Sequence, residues 1–307
     1  MSLYNDPHWP RAGAWLRGET PAGSLGHLAV IGAPACRGSI TPGRADLAPA
    51  AIRAALDRFS TFDIDQDANV ADLAITDLGD LDVAALTPEE AFEPVRRGVA
   101  AAIPKGDALV VLGGDNTVTY PGVQALGSCG LVTFDAHLDL RSLEGGLTNG
   151  NPIRALLAKG FPGEHIVQIG IQSFVNSETY ADVAADAGIR VITADHVRLH
   201  GIESTVREAL DSFTTEFIYV DLDLDVLDRA FAPATPGSRP GGLTPWEMRT
   251  AARVCGEFAR VRVFDLVEMD PEQDIAGQTA LCAAACLLSF ASGVHRRCSR
   301  LLDARSL

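Results

Sequence analysis

The sequence is short of positive charge: 25 lysines and arginines stand against 40 aspartates and glutamates, leaving a net charge of −15. That deficit excludes non-specific binding to DNA, RNA or an anionic membrane, all of which call for a basic surface. No basic-then-apolar stretch resembles a signal peptide, since residues 1–26 are polar and rich in Gly and Pro. The longest apolar run, Ala280 to Val294, is too short to span a bilayer, and its Ala- and Ser-rich composition predicts a buried helix. The six cysteines are scattered and form no CxxC, which argues against a thiolate zinc site. Cys282 and Cys286, one helical turn apart, suit core packing better than a disulfide. Low-complexity linkers and internal repeats are missing too. These absences predict one domain over residues 1–307, opening on an irregular segment at 1–26, in a cytoplasmic protein with reduced thiols.

What is present is an alternation of short Val- and Ile-rich runs with helical patterns. The runs predict strands at His27–Ala33, Ala71–Thr76, Ala108–Leu112, Gly130–Phe134, His165–Ile171, Ile189–Thr193, Glu216–Val220 and Val261–Val267. Thr87-Pro88-Glu89-Glu90 and Thr244-Pro245-Trp246-Glu247 carry the Ser/Thr-x-x-Glu capping box, with Pro at the first helical position. Strands alternating with helices predict a parallel sheet covered on both faces. Periodicity leaves a closed barrel and an open doubly wound sheet both open. Either way, function belongs at the carboxyl ends of the strands.

Four pieces fall there. Val220 to Asp228 reads VDLDLDVLD, four aspartates in nine residues, directly after a run apolar at both parities. Alternation alone fits a half-exposed strand. However, carboxylates this close repel and resist leaving water, unless a cation holds them together. Leu131–Phe134 runs into Asp135-Ala136-His137-Leu138-Asp139, a second triplet of ligand-type side chains at alternate positions. Two such triplets predict a pair of divalent cations, and oxygen donors with one imidazole favour manganese over zinc or copper. The third piece is Gly113-Gly114-Asp115-Asn116-Thr117, where any of the last three can cap the following helix. The fourth is Phe264 to Pro271, a strand ending in acids.

Taken in this order, the four pieces resemble the arginase/agmatinase/formiminoglutamase family of manganese ureohydrolases. Val30–Pro34, Pro49–Arg53 and Asp77–Leu81 extend the resemblance over nearly the whole chain. Its Asp-Ala-His-x-Asp signature stands as Asp135–Asp139. Its Asp-x-Asp-x-x-Asp signature stands as Asp223–Asp228, ahead of Ala232-Pro233 and Gly241–Thr244. The resemblance implies a three-layer αβα fold with an open, mostly parallel eight-stranded sheet. It implies two Mn²⁺ per subunit bridged by Asp135 and Asp223, with Asp139 completing the first site and His137 with Asp225 the second. Asp221 and Asp228 would support them. The metals would activate a hydroxide that attacks the C=N carbon of a guanidine or formimino group. Asp139 would relay its proton and Glu268 would contact the substrate's cationic nitrogens. Trimers or hexamers are implied as the assembly.

Two departures bear on the substrate. Asn116 stands where the family usually has a histidine ligand, so the first site is expected to be the weaker. The loop Gly145–Pro152 also lacks the histidine that arginases carry, and arginase itself is a poor match. Phe134–Arg141 and Ile169–Ser177 look most like formiminoglutamase. Substrate contacts are then expected from Asn149, Gln172 and Asn176, with Arg141 and Arg239 available for the carboxylates of formiminoglutamate. Agmatinase, or another guanidino-acid ureohydrolase, is the alternative enzyme. A metal-poor, non-catalytic paralogue is the alternative outside catalysis.

Overall fold

The computed structural model describes residues 6–21 and 23–305. In chain order its strands are β1 (His27–Ala33), β2 (Phe62–Asp63), β3 (Ala68–Asn69), β4 (Ala74–Asp80), β5 (Ala108–Gly113), β6 (Cys129–Phe134), β7 (Ile166–Ile171), β8 (Arg190–Thr193), β9 (Phe217–Asp223) and β10 (Val261–Val267). Apart from the small antiparallel pair β2–β3, they form one open eight-stranded sheet in the order β4-β1-β5-β10-β9-β6-β7-β8. Every pairing in it is parallel. Open and parallel is the architecture that the family resemblance implied.

Side-chain parity explains why helices cover both faces. In β5, Val110 and Leu112 enter one core while Leu109 and Val111 enter the other. Each fully buried residue of this size contributes roughly 1.5–3 kcal/mol, so neither face is stable against water. The helices Ala48–Ala55, Pro245–Glu257 and Gln278–Arg305 close the first face, and Pro88–Ala102 and Pro152–Ala158 close the second. Both predicted capping boxes form, at Thr87 with Glu90 and at Thr244 with Glu247.

The apolar run near the C-terminus lies inside helix Gln278–Arg305. By length and composition this helix could cross a bilayer, but 67% of its most apolar window is buried within the fold. Gly256 and Gly293 let it approach helix Pro245–Glu257 closely: a Cβ on Gly293 would sit 2.1 Å from the Arg253 carbonyl oxygen. It is a core helix.

Two expectations need correction. The segment 1–26 is not wholly irregular, because Ala12–Leu16 is helical and buries Trp15, whose indole donates to the Leu73 carbonyl. The second strand begins later than expected, since Val70–Asp72 forms a 3₁₀ turn held by the Asn69 side chain. The cysteines are all free thiols, as expected.

The sheet order places the site. The four neighbouring central strands β5, β10, β9 and β6 carry the four chemistry-bearing pieces of the sequence at their carboxyl ends.

Candidate metal centre

After β5 the chain turns at Gly114, where a Cβ would meet the Ala35 carbonyl oxygen at 1.7 Å. Asp115 then takes the capping role. Its carboxylate accepts from the Thr117 amide at 3.1 Å, from the Thr117 hydroxyl, and from the Gly38 amide at 2.9 Å. Asn116 is thereby freed to face the cluster. Its amide nitrogen Nδ2 donates to Asp139 Oδ2 at 2.8 Å and to Asp223 Oδ2 at 3.3 Å, while Oδ1 accepts from the Thr119 hydroxyl at 2.7 Å. In this orientation its nitrogen, not its oxygen, is turned to the carboxylates, and coordination through oxygen requires the amide to turn over.

β6 stops at Phe134, so Asp135 to Asp139 converge through a folded turn instead of lining one strand face. The Asp135 carboxylate accepts from the His137 backbone amide at 2.6 Å. The Asn176 side chain braces the same turn, accepting from the Leu138 amide and donating to the Ala136 carbonyl. Asp139 holds a positive φ of 51° and Glu268 one of 69°, a backbone state costly to side-chain-bearing residues and concentrated at functional sites. β9 ends at Asp223, and Asp225 sits on the 3₁₀ turn that follows, again off the strand. His137 Nδ1 lies 3.0 Å from Asp225 Oδ2, and Asp135, His137 and Asp225 have donor atoms within 4.8 Å of one another. Gly237 presses on this group: a Cβ there would fall 1.9 Å from Asp225 Oδ2. Sequence reasoning missed Gly237, and Pro-Gly in a loop carries no signal of such a close approach.

Glu268 Oε1 accepts from the Asn116 backbone amide at 2.7 Å and from Asn149 Nδ2 at 3.1 Å. Beneath the cluster, Asp265 accepts from the Tyr219 hydroxyl at 2.7 Å and from the Leu222 amide at 3.2 Å. Asp221 is buried beside it, and its Oδ2 has no partner. Asp228, the other expected supporting residue, ties its own loop by accepting from the Ala230 and Gly241 amides.

Burial is the main force on these acids. It raises Asp135 to about 6, helped by the charge of Asp225, and Glu268 to about 8, helped by Asp115. Burial likewise raises Asp139 and Asp223 far above the carboxylate range, with Asp135 and Asp225 adding repulsion. His137 answers in the opposite sense. Burial works against its charge, yet Asp225 and Asp135 push it up to about 12, and the imidazolium in turn outweighs burial at Asp225 and lowers it. Among the described residues His137 is the one basic side chain paired with the cluster. One imidazolium cannot balance this many buried carboxyls. The orphaned acid, the oxygen-rich donor set and the uncompensated charge fit a pair of hard divalent cations. Asp135, Asp139, Asp223, Asp225 and His137 are the residues that would hold them.

Above the cluster opens a cavity of about 430 Å³, walled by Asp139, Asp223, Asp225, His137 and Glu268 on the inside and by Arg141, Asn149, Asn176 and Arg239 further out. Arg239 is engaged with the carbonyls of Pro236, Gly237 and Ser238 in its own loop. Arg141 is exposed, and its guanidinium has no hydrogen-bond or ion-pair partner among the described residues. Gln172 is not brought to this cavity. It lines a neighbouring depression with Arg198 and Pro240, and its Nε2 is buried without a partner.

Acids gathered at the carboxyl edge of an open parallel sheet, around a cleft and including a group that could hold a metal ion, define the class: a three-layer αβα protein with an acidic site at its central strands. The chain belongs to the arginase family, whose model matches residues 27–292, and it is a hydrolase of that family. Similar proteins include a formimidoylglutamase from Halalkalibacterium halodurans, 36% identical over 274 residues that make up 86% of either chain. The crystal structure of formimidoylglutamase from Bacillus subtilis superposes with a TM-score of 0.87 at 30% identity, covering 96% of this chain and 94% of that one. A formiminoglutamase from Trypanosoma cruzi solved with Mn²⁺ has the same fold, with a TM-score of 0.85 at 24% identity over 94% of this chain and 99% of that one.

Proposed function

We propose that the protein hydrolyses formimidoylglutamate to glutamate and formamide at a two-manganese centre. When bound, the metal pair supplies Lewis acidity and an activated water at neutral pH. The rest falls to the chain's own residues. Glu268, held from below by Asn116 and from the side by Asn149, receives the cationic nitrogens of the formimino group. Asp139 takes the proton released when water adds to the C=N carbon and returns it to the departing glutamate amine as that C–N bond breaks. Formamide leaves with the oxygen of water. Arg141 takes a substrate carboxylate in a bidentate contact.

The observation that carries this reading is the unpaired Arg141 guanidinium on the wall of a cavity whose floor is acidic, Arg239 on the same wall being tied to its own loop. A protein of charge −15 repels a dicarboxylate unless such a local cation receives it. The similarity to formimidoylglutamases supports the same substrate. A guanidino acid with one carboxylate could also use Arg141, whereas the dication agmatine would be repelled by it. The buried, uncompensated acids speak against a metal-poor paralogue. We further propose that the whole chain acts as one catalytic unit, that it works in the cytoplasm, and that it assembles as a homo-oligomer.

The test is a time course on formimidoylglutamate, 3-guanidinopropionate and agmatine with added Mn²⁺, reading formamide, glutamate and urea. Formamide and glutamate released in equal amounts from the first substrate are expected. Urea from a guanidino substrate as the principal product would move the assignment to that branch.

A further inference from the structure

Thr119 begins the helix Thr119–Leu126 and is fully buried beneath the cluster. Its hydroxyl oxygen lies among three others: Asn116 Oδ1 at 2.7 Å, Asp265 Oδ2 at 3.1 Å and Asp221 Oδ1 at 3.2 Å. A hydroxyl has one proton to donate and lone pairs with which to accept, so it serves one of these oxygens at a time. Here the nearest, Asn116 Oδ1, receives the proton. The amide nitrogen is consequently turned towards Asp139 and Asp223. Two carboxyl oxygens remain within reach of a donor already committed elsewhere.

We propose that Thr119 is a positioning residue that supports two orientations of the Asn116 amide, one for the metal-free centre and one for the metal-bound centre. This rests on the two-metal reading above. Without a cation, Asp139 and Asp223 need donors, and Nδ2 is the donor at hand. With a cation between them that need disappears, and the oxygen becomes the amide atom that positive charge attracts. Turning the amide over requires no movement of the backbone, but it brings Nδ2 against Thr119. The threonine hydroxyl then accepts from Nδ2 and donates its own hydrogen bond to Asp221 or Asp265. Valine, of the same shape, can neither accept nor donate. The arrangement gives a neutral amide a supporting network in each state, at a position where coordination by its oxygen is otherwise weak.

The test is a calorimetric titration of Mn²⁺ into chelator-treated wild type, Thr119→Ser and Thr119→Val, with metal-free melting curves for each. Thr119→Val should weaken the first site by about tenfold or more, the size typical of groups that orient a ligand. The site at His137 and Asp225 should be unchanged, and Thr119→Ser should behave like wild type. A purely structural threonine would lower the melting temperature and leave both affinities alone, which overturns the proposal. Wild type that binds no Mn²⁺ would instead overturn the two-metal reading. Crystal structures of wild type with and without Mn²⁺ give a check that needs no variant. Asn116 Oδ1 should face the cation, with Nδ2 in hydrogen-bonding reach of Thr119, in the loaded protein only. The same amide orientation in both would contradict the proposal.

Discussion

Asn116 and Asp139, 23 residues apart in the chain, are joined by a 2.8 Å hydrogen bond from the amide nitrogen to the carboxylate. The bond links the turn after β5 to the turn after β6 and places a neutral group at a position where an imidazole would bind a cation more strongly. Asn116→His should therefore tighten the first Mn²⁺ site, by roughly 10–100-fold. It should also lower the metal-free melting temperature, because the bonds to Asp139 and Asp223 are lost. Calorimetry and melting curves on the same preparation measure both. No change in Mn²⁺ affinity would remove position 116 from the metal site.

Asp223 is expected to bridge the two cations, and Asp223→Ala should abolish binding at both. A ligand held only by the folded state stabilises it by about 2.7 kcal/mol at a hundredfold excess over its Kd. Wild type should thus melt lower in EDTA than in Mn²⁺, and the variant should melt at the same temperature in either. An equal chelator-induced shift in the two proteins would refute the bridging role.

Arg141 and Arg239 share the cavity wall but should not contribute equally. Arg141→Ala should raise KM for formimidoylglutamate by about ten- to a hundredfold, the equivalent of roughly 1.5–3 kcal/mol for a charged hydrogen bond. Its melting temperature should stay near that of wild type. Arg239→Ala should act chiefly on stability, because its guanidinium ties Pro236, Gly237 and Ser238. Unchanged KM in Arg141→Ala would undo the carboxylate contact.

The metal-free protein should lose stability as pH rises. Folding lifts Asp135 from 3.8 to about 6 and Glu268 from 4.5 to about 8. Across that span the native state holds more protons than the unfolded chain, so stability falls towards higher pH, and the part due to these two acids is lost by about pH 8. The raised His137 acts in the same direction. Melting temperatures in EDTA should decline from pH 6 to pH 8, and Mn²⁺ should flatten the profile by taking over the role of the protons. A metal-free profile that rises over this interval would contradict the charge balance described for the cluster.

Much of the fold was legible because apolar runs buried on both faces have nothing else to be. β1 and β10 fall where Val- and Ile-rich runs predict them, at His27–Ala33 and Val261–Val267. β9 runs three residues further than expected, to Asp223, because acids that look like a strand's end are held in place by neighbouring strands. The ligand-type residues were legible as types and as a cluster, but not in their geometry. Alternation suggested two strand faces, whereas Asp135 to Asp139 and Asp225 meet through turns. The amide orientation of Asn116, the hydroxyl of Thr119 and the pressure of Gly237 on Asp225 are contacts between residues distant in the chain. Local pattern carries no trace of them. Gln172 lines the depression beside the main cavity, a placement that local pattern does not reveal either.

The most direct measurement is the metal stoichiometry of the chelator-treated protein, taken by calorimetric titration with Mn²⁺ at neutral pH. Two ions per chain are expected, bound unequally, with the weaker one strengthened in Asn116→His. Wild-type protein that takes up no Mn²⁺, or whose melting temperature is the same with and without it, would contradict a metal centre built from Asp135, His137, Asp139, Asp223 and Asp225.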